Sequence, residues 1–122
     1  MNRRVMIVDD SAAMRAVVAI ALRGAGYEVL EAADGAEALG LLDDHKVHLI
    51  ISDVNMPGMD GLTLLRELKK QASLKFTPVI MLTTETAAEK VAAGKAEGAR
   101  AWMTKPFHPE QMLAAVQKLV MP

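Results

Sequence analysis

Three features of the sequence predict an α/β protein built on a doubly wound parallel sheet. Short apolar runs alternate with segments of helical periodicity, five times along the chain. The connections span only a few residues, as expected when helices cross between parallel strands on both faces of one sheet. Three of the runs, "VMIV", "LII" and "VIML", are apolar throughout, which suits strands covered on both sides.

The elements follow in order. Arg4 to Val8 reads as the first strand, after which Met14, Val17, Val18, Ala21 and Leu22 recur at helical spacing and Gly24 closes the helix. Tyr27 to Glu31 is the second strand. Asp34, with Glu37 three residues on, is a capping pattern that opens a helix carrying Ala38, Leu41 and Leu42 inward. His48 to Ser52 is the third strand. Asp60 caps the next helix, which aligns Leu64, Leu65 and Leu68 on one face. Val79 to Leu82 is the fourth strand, entered through Pro78. Residues 86–97 read as an alanine-rich fourth helix, weakly patterned and interrupted by Gly94. Ala99 to Met103 is the fifth strand. Pro109 opens the fifth helix, where Met112, Leu113, Val116 and Val120 face the core.

Strand composition also suggests an order. "YEVLE" and "ARAWM" alternate polar with apolar residues, as edge strands do, so strands 2 and 5 belong outside and strands 1, 3 and 4 inside. The expected architecture is five parallel strands in the order 2-1-3-4-5 with five helices. The winding reverses between strands 1 and 3, so a ligand crevice should open at their carboxyl ends.

Size and charge narrow the function. The 122 residues suit a single domain spanning 1–122, and 52% hydrophobic with 24% charged residues is the balance of an ordinary globule. A formal net charge of -1 argues against nucleic acid or an anionic membrane as the main partner. There is no cysteine, hence no disulfide or thiolate metal site. No apolar run approaches the ~18 residues of a membrane span, and a cytoplasmic monomer is expected.

The polar residues gather at strand ends. Asp9 and Asp10 follow strand 1, Asp53 follows strand 3, Thr83 follows strand 4 and Lys105 follows strand 5. Three carboxylates in one crevice repel each other unless a hard cation joins them, and Mg²⁺ suits an all-oxygen site of this size. Asn55 could add a backbone carbonyl, turned inward by Pro57-Gly58. Each residue alone has a plainer explanation: Asp10 or Ser11 as a helix cap, Asp53 as a turn residue. Their coincidence at the place where such sheets bind ligands favours a divalent-cation or phosphate site. His45, His48 and His108 show no metal-ligand spacing, and Met56 and Met59 read as loop packing.

Four motifs, "VDDS", "SDVNMPGMDG", "LTTE" and "KPF", occur in the order and spacing of a known family. Over nearly its whole length the chain resembles a response-regulator receiver domain, the phosphoacceptor module of two-component signalling. Its fold is called flavodoxin-like, and a chemotaxis receiver is a familiar example of the 2-1-3-4-5 order, so the order and the resemblance are not independent. The resemblance implies that Asp53 accepts a phosphoryl group from a sensor histidine kinase or a small acyl phosphate. Asp9, Asp10, Asp53 and the Asn55 carbonyl would hold Mg²⁺, while Lys105 and Thr83 would bind phosphate oxygens. Thr83 and Trp102 would form the switch, although Tyr or Phe is commoner than Trp at that position. Asn55, Thr84 and Glu85 would tune dephosphorylation.

"DDSAAMR" most resembles the chemotaxis branch, implying a chemotaxis kinase and a flagellar switch protein as partners. The output surface would be the fourth helix, fifth strand and fifth helix. The chain ends at "KLVMP", which favours a stand-alone regulator over the receiver of a longer transcriptional regulator. An Mg²⁺-dependent phosphatase with an aspartate nucleophile would need an acid two residues after Asp53, where this chain has Asn55. A phosphoacceptor assisting its own phosphorylation, and not an enzyme acting on other substrates, is therefore expected.

Overall fold

Apolar strand runs and capped helices assemble in a computed structural model that describes residues 3–54, 56, 58–83, 98–104 and 108–120. The elements are β1 (Arg4–Val8), α1 (Ala12–Gly24), β2 (Glu28–Ala32), α2 (Gly35–Asp44), β3 (Leu49–Asp53), α3 (Gly61–Lys70), β4 (Val79–Thr83), β5 (Ala101–Thr104) and α4 (Pro109–Leu119). The strands form one sheet in the order β2-β1-β3-β4-β5, and every neighbouring pair is parallel. The strand order agrees with the order read from composition. The helix count does not: the described residues carry four helices where five were expected. The segment 86–97, weakly patterned and broken by Gly94, lies outside the described residues.

Three of the four described helices start where a side chain replaces a missing backbone partner, and α4 starts instead with Pro109 in its first turn. Ser11 Oγ accepts the Met14 N–H at 3.2 Å, Asp34 Oδ1 accepts the Glu37 N–H at 2.8 Å, and Asp60 Oδ1 accepts the Thr63 N–H at 2.8 Å. Glu37 reaches back to the Ala33 N–H at 3.1 Å, so the Asp34–Glu37 pattern holds both sides of the helix start. The first strand matches expectation, and the limits of the other strands differ by one or two residues. β3 runs on to Asp53, which is in register with Leu82, and β5 begins at Ala101 after Gly98 turns the chain with φ of 103°.

Alternation along the strands sends side chains to two cores. Met6, Val8, Ile50 and Met81 pack with Ala38, Leu42, Leu64, Leu65 and Leu68 beneath α2 and α3. Val5, Ile7, Leu49, Ile51 and Ile80 pack with Val18, Leu22, Met112 and Val116 beneath α1 and α4. Lys69 closes the connection after α3, its Nζ donating to the carbonyls of Lys75 at 3.0 Å and Thr77 at 3.3 Å. Burial, and secondly the charge of Arg100, hold its pKa below the usual lysine value. Among the described residues no helix is long and apolar enough to cross a membrane.

Because Leu65 is fully buried in the first core, Leu65→Ala should cost about 2–5 kcal/mol. Ile20, 71% exposed on α1, should tolerate Ile20→Ser within about 0.5 kcal/mol. Urea unfolding of the two variants measures the contrast.

Candidate functional site

Parallel strands all end on one side, so the residues just past β1 and β3, which are neighbours, must meet there. Asp9 follows β1 and is 2% exposed; Asp53 ends β3 and is 6% exposed; Asp10 beside Asp9 is exposed. One carboxylate oxygen from each of the three lies within 4.8 Å of the other two. Two carboxylates buried in this way are costly to keep charged unless something positive or hydrogen-bonding faces them. Both Asp9 and Asp53 have interaction partners in the structure.

Asp9 is pinned at several points. Its N–H donates to the Ala32 carbonyl at 3.1 Å, and its Oδ1 accepts the Ser11 N–H at 2.9 Å. Its carbonyl accepts a hydrogen bond from Arg15 Nη1. The carbonyl of Asp53 accepts the Ser52 hydroxyl at 2.9 Å, and Ser52 is itself buried. The Gly61 N–H donates to the Val54 carbonyl at 2.8 Å, drawing the start of α3 against the end of β3. Gly61 permits this approach. A Cβ there would collide with the Asp53 carbonyl oxygen and come within 2.8 Å of Val54 Cα and Met81 Cε. The contributions of Gly61 and Arg15 depend on contacts between elements that local pattern does not reveal.

The other expected site residues divide. The backbone of Thr83 ends β4, one residue beyond Leu82, which pairs with Asp53. Trp102 lies on β5 in register with Met81 and packs, partly buried, against the first core. Its Nε1 is buried and has no hydrogen-bond partner among the described residues. Asn55, Thr84, Glu85 and Lys105 lie outside the described residues, as does Pro57 in the expected turn. Met56 is buried in the first core and Met59 packs against it. His48 Nδ1 accepts the Arg4 N–H at 3.1 Å, His45 Nδ1 lies 2.9 Å from the Leu41 carbonyl, and His108 precedes α4.

The donor set suits a hard divalent cation. It offers three carboxylate oxygens close enough to share one ion, and no sulfur or imidazole among the described residues joins them.

Comparison with known proteins places these features in a family. The family model described as "Response regulator receiver domain" matches residues 5–117. The solved chemotaxis response regulator CheY4 of Vibrio cholerae is similar over 99% of this chain and 100% of its own, with 47% identity and a TM-score of 0.92. The phosphate regulon transcriptional regulatory protein PhoB of Pseudomonas aeruginosa is 36% identical over 119 residues, 98% of this chain and 52% of its own. The alkaline phosphatase synthesis transcriptional regulatory protein PhoP of Bacillus subtilis is 35% identical over 120 residues, 98% of this chain and 49% of its own. The chain thus spans about half the length of these curated relatives.

If the close approach at Gly61 positions Asp53, Gly61→Ala should destabilise the fold by about 1–3 kcal/mol and displace the end of β3. Gly40→Ala, in α2 with nothing within 4 Å of the new Cβ, should be neutral or stabilising by about 0.5–1 kcal/mol. Thermal unfolding of both variants and a crystal structure of the first check this pair.

Proposed function

The chain belongs to the response regulator receiver domain family, and on that premise we propose that it is a signalling switch phosphorylated on Asp53. The observation that carries this reading is the meeting of Asp9, Asp10 and Asp53 at the ends of two adjacent central strands. Asp53 serves as the nucleophile. Its carboxylate oxygen forms a bond to phosphorus as the bond to the donor breaks, and the donor leaves with the electron pair. The donor is a histidine kinase carrying phosphohistidine, or a small acyl phosphate. Asp9, Asp10 and Asp53, with the Asn55 carbonyl, are the residues to hold Mg²⁺, which when bound would shield the negative charge of the transferring group. Lys105 contributes a compact positive charge and Thr83 a hydroxyl toward the phosphate oxygens. Asn55, Thr84 and Glu85 govern access of water to the phosphoryl group and so its lifetime.

Trp102 reports the switch. An unpaired buried N–H costs about 1–3 kcal/mol, so the indole occupies a site that packing favours and hydrogen bonding opposes. A rearrangement near Thr83 that changes its surroundings shifts that balance. The output surface comprises residues 86–97 together with β5 and α4, and its partner is a second protein, not nucleic acid.

The 47% identity and near-complete mutual coverage with CheY4 support a chemotaxis role, with a flagellar switch protein as the partner read by that surface. A second reading is the receiver portion of a longer transcriptional regulator, favoured by relatives such as PhoB of which this chain spans about half. A phosphatase is disfavoured by Asn55 at the place of a general acid.

Incubation with acetyl phosphate and Mg²⁺ should place a phosphoryl group on Asp53, located by mass spectrometry; chelation of the metal or Asp53→Asn should prevent it. Beryllofluoride with Mg²⁺ should change Trp102 emission in the parent protein and not in Asp53→Asn. An unchanged spectrum despite confirmed binding would count against the switch role of Trp102.

A further inference from the structure

Arg15 is a long cationic side chain that the phosphorylation chemistry does not use, yet it is only 18% exposed. It sits one turn into α1, where its N–H donates to the Ser11 carbonyl at 3.0 Å. Its guanidinium turns back toward the start of the helix. Nη1 donates to the main-chain carbonyl of Asp9, and Nε lies 3.5 Å from Glu31 Oε1 on β2. The other oxygen of Glu31 lies 3.7 Å from Arg23 Nη2. Glu31 thus stands between two arginines of α1, and the more buried one is held over the turn that carries the acids.

The Asp9 carbonyl oxygen shares a rigid plane with the N–H of Asp10. Fixing that oxygen therefore fixes where Asp10 begins. This matters because Asp10 is the exposed member of the three, and among the described residues its side chain makes no hydrogen bond or ion pair of its own. Its carboxylate nevertheless lies within 4.8 Å of those of Asp9 and Asp53.

We propose that Arg15 is a positioning residue for the cation site, clamping the Asp9–Asp10 peptide so that the Asp10 carboxylate faces the other two, with Glu31 orienting the guanidinium. The proposal rests on the cation-dependent reading above. It differs in sign from the alternative role of the same group. A guanidinium acting only as a nearby positive charge would repel a dication, so its removal would tighten binding. A guanidinium acting as a clamp would be missed, and outer-shell partners of this kind typically change metal affinity 10–100-fold.

The test is calorimetric titration of the full chain with magnesium chloride, alongside metal-free thermal unfolding. Arg15→Gln should weaken Mg²⁺ affinity about ten-fold or more. Arg15→Lys, which keeps the charge and loses the two-sided fork, should also bind more weakly than the parent. Glu31→Gln should weaken binding by a smaller factor, and the double variant should be no worse than Arg15→Gln alone. Should Arg15→Gln fail to fold, Arg15→Lys, which keeps the charge and loses only the fork, carries the test. Unchanged or tighter Mg²⁺ binding in the folded variants overturns the proposal, as does a lowered unfolding temperature with affinity intact. A parent protein that binds no Mg²⁺ overturns the functional reading, and this proposal with it.

Discussion

Carboxylates brought together at the tips of adjacent strands resist being together. At about 4 Å and an effective dielectric constant near 20, two unit charges repel by about 4 kcal/mol. Asp9 and Asp53 are both buried, and Asp10 adds a third acid. The arrangement survives because the surrounding backbone leaves little choice. Asp9 is tied through its N–H, its carboxylate and its carbonyl, and Asp53 is part of a fully buried central strand. The sheet holds the acids near each other, and a bound cation would relieve the repulsion that results. Folding energy stored in this way would then become affinity for that ion, as when a rigid scaffold prepares a site before its ligand arrives.

The two cores explain why the scaffold is rigid at this point. β1 and β3 are covered on one face by α2 and α3 and on the other by α1 and α4, so neither strand end can retreat without opening a core. Gly61 presses the start of α3 against the last residues of β3, and Arg15 reaches from α1 to the turn after β1. Each of the two helices that flank the site thus touches the main chain of the acid-bearing segment. Trp102 differs in kind. Its ring packs against the first core, yet its Nε1 has no hydrogen-bond partner among the described residues, so packing and polar satisfaction pull against each other there.

Much of this was legible in the sequence, for identifiable reasons. Runs such as "LII" that are apolar on both faces mark central strands, and the polar alternation of "YEVLE" marks an edge, so composition separates inner from outer strands, and the order it suggests is also the one the family resemblance implies. Caps at Asp34 and Asp60 are local devices and were readable as such, while for the first helix the sequence left Asp10 or Ser11, and the cap is Ser11. The acids at the ends of β1 and β3 follow from that order. Contacts between elements distant in sequence were not legible. The pairing of Arg15 with Glu31, the collision that bars a side chain at Gly61, and the buried indole nitrogen of Trp102 depend on how elements pack. The expected fourth helix, residues 86–97, was weakly patterned and lies outside the described residues, which carry four helices.

The central claim is that Asp9, Asp10 and Asp53 share one small dication. A crystal structure determined in magnesium tests it most directly. The account predicts a single ion with roughly octahedral oxygen ligation at about 2.1 Å, bound by these carboxylates and water. Carboxylates turned away from one another, with no ion between them at saturating magnesium, would contradict it.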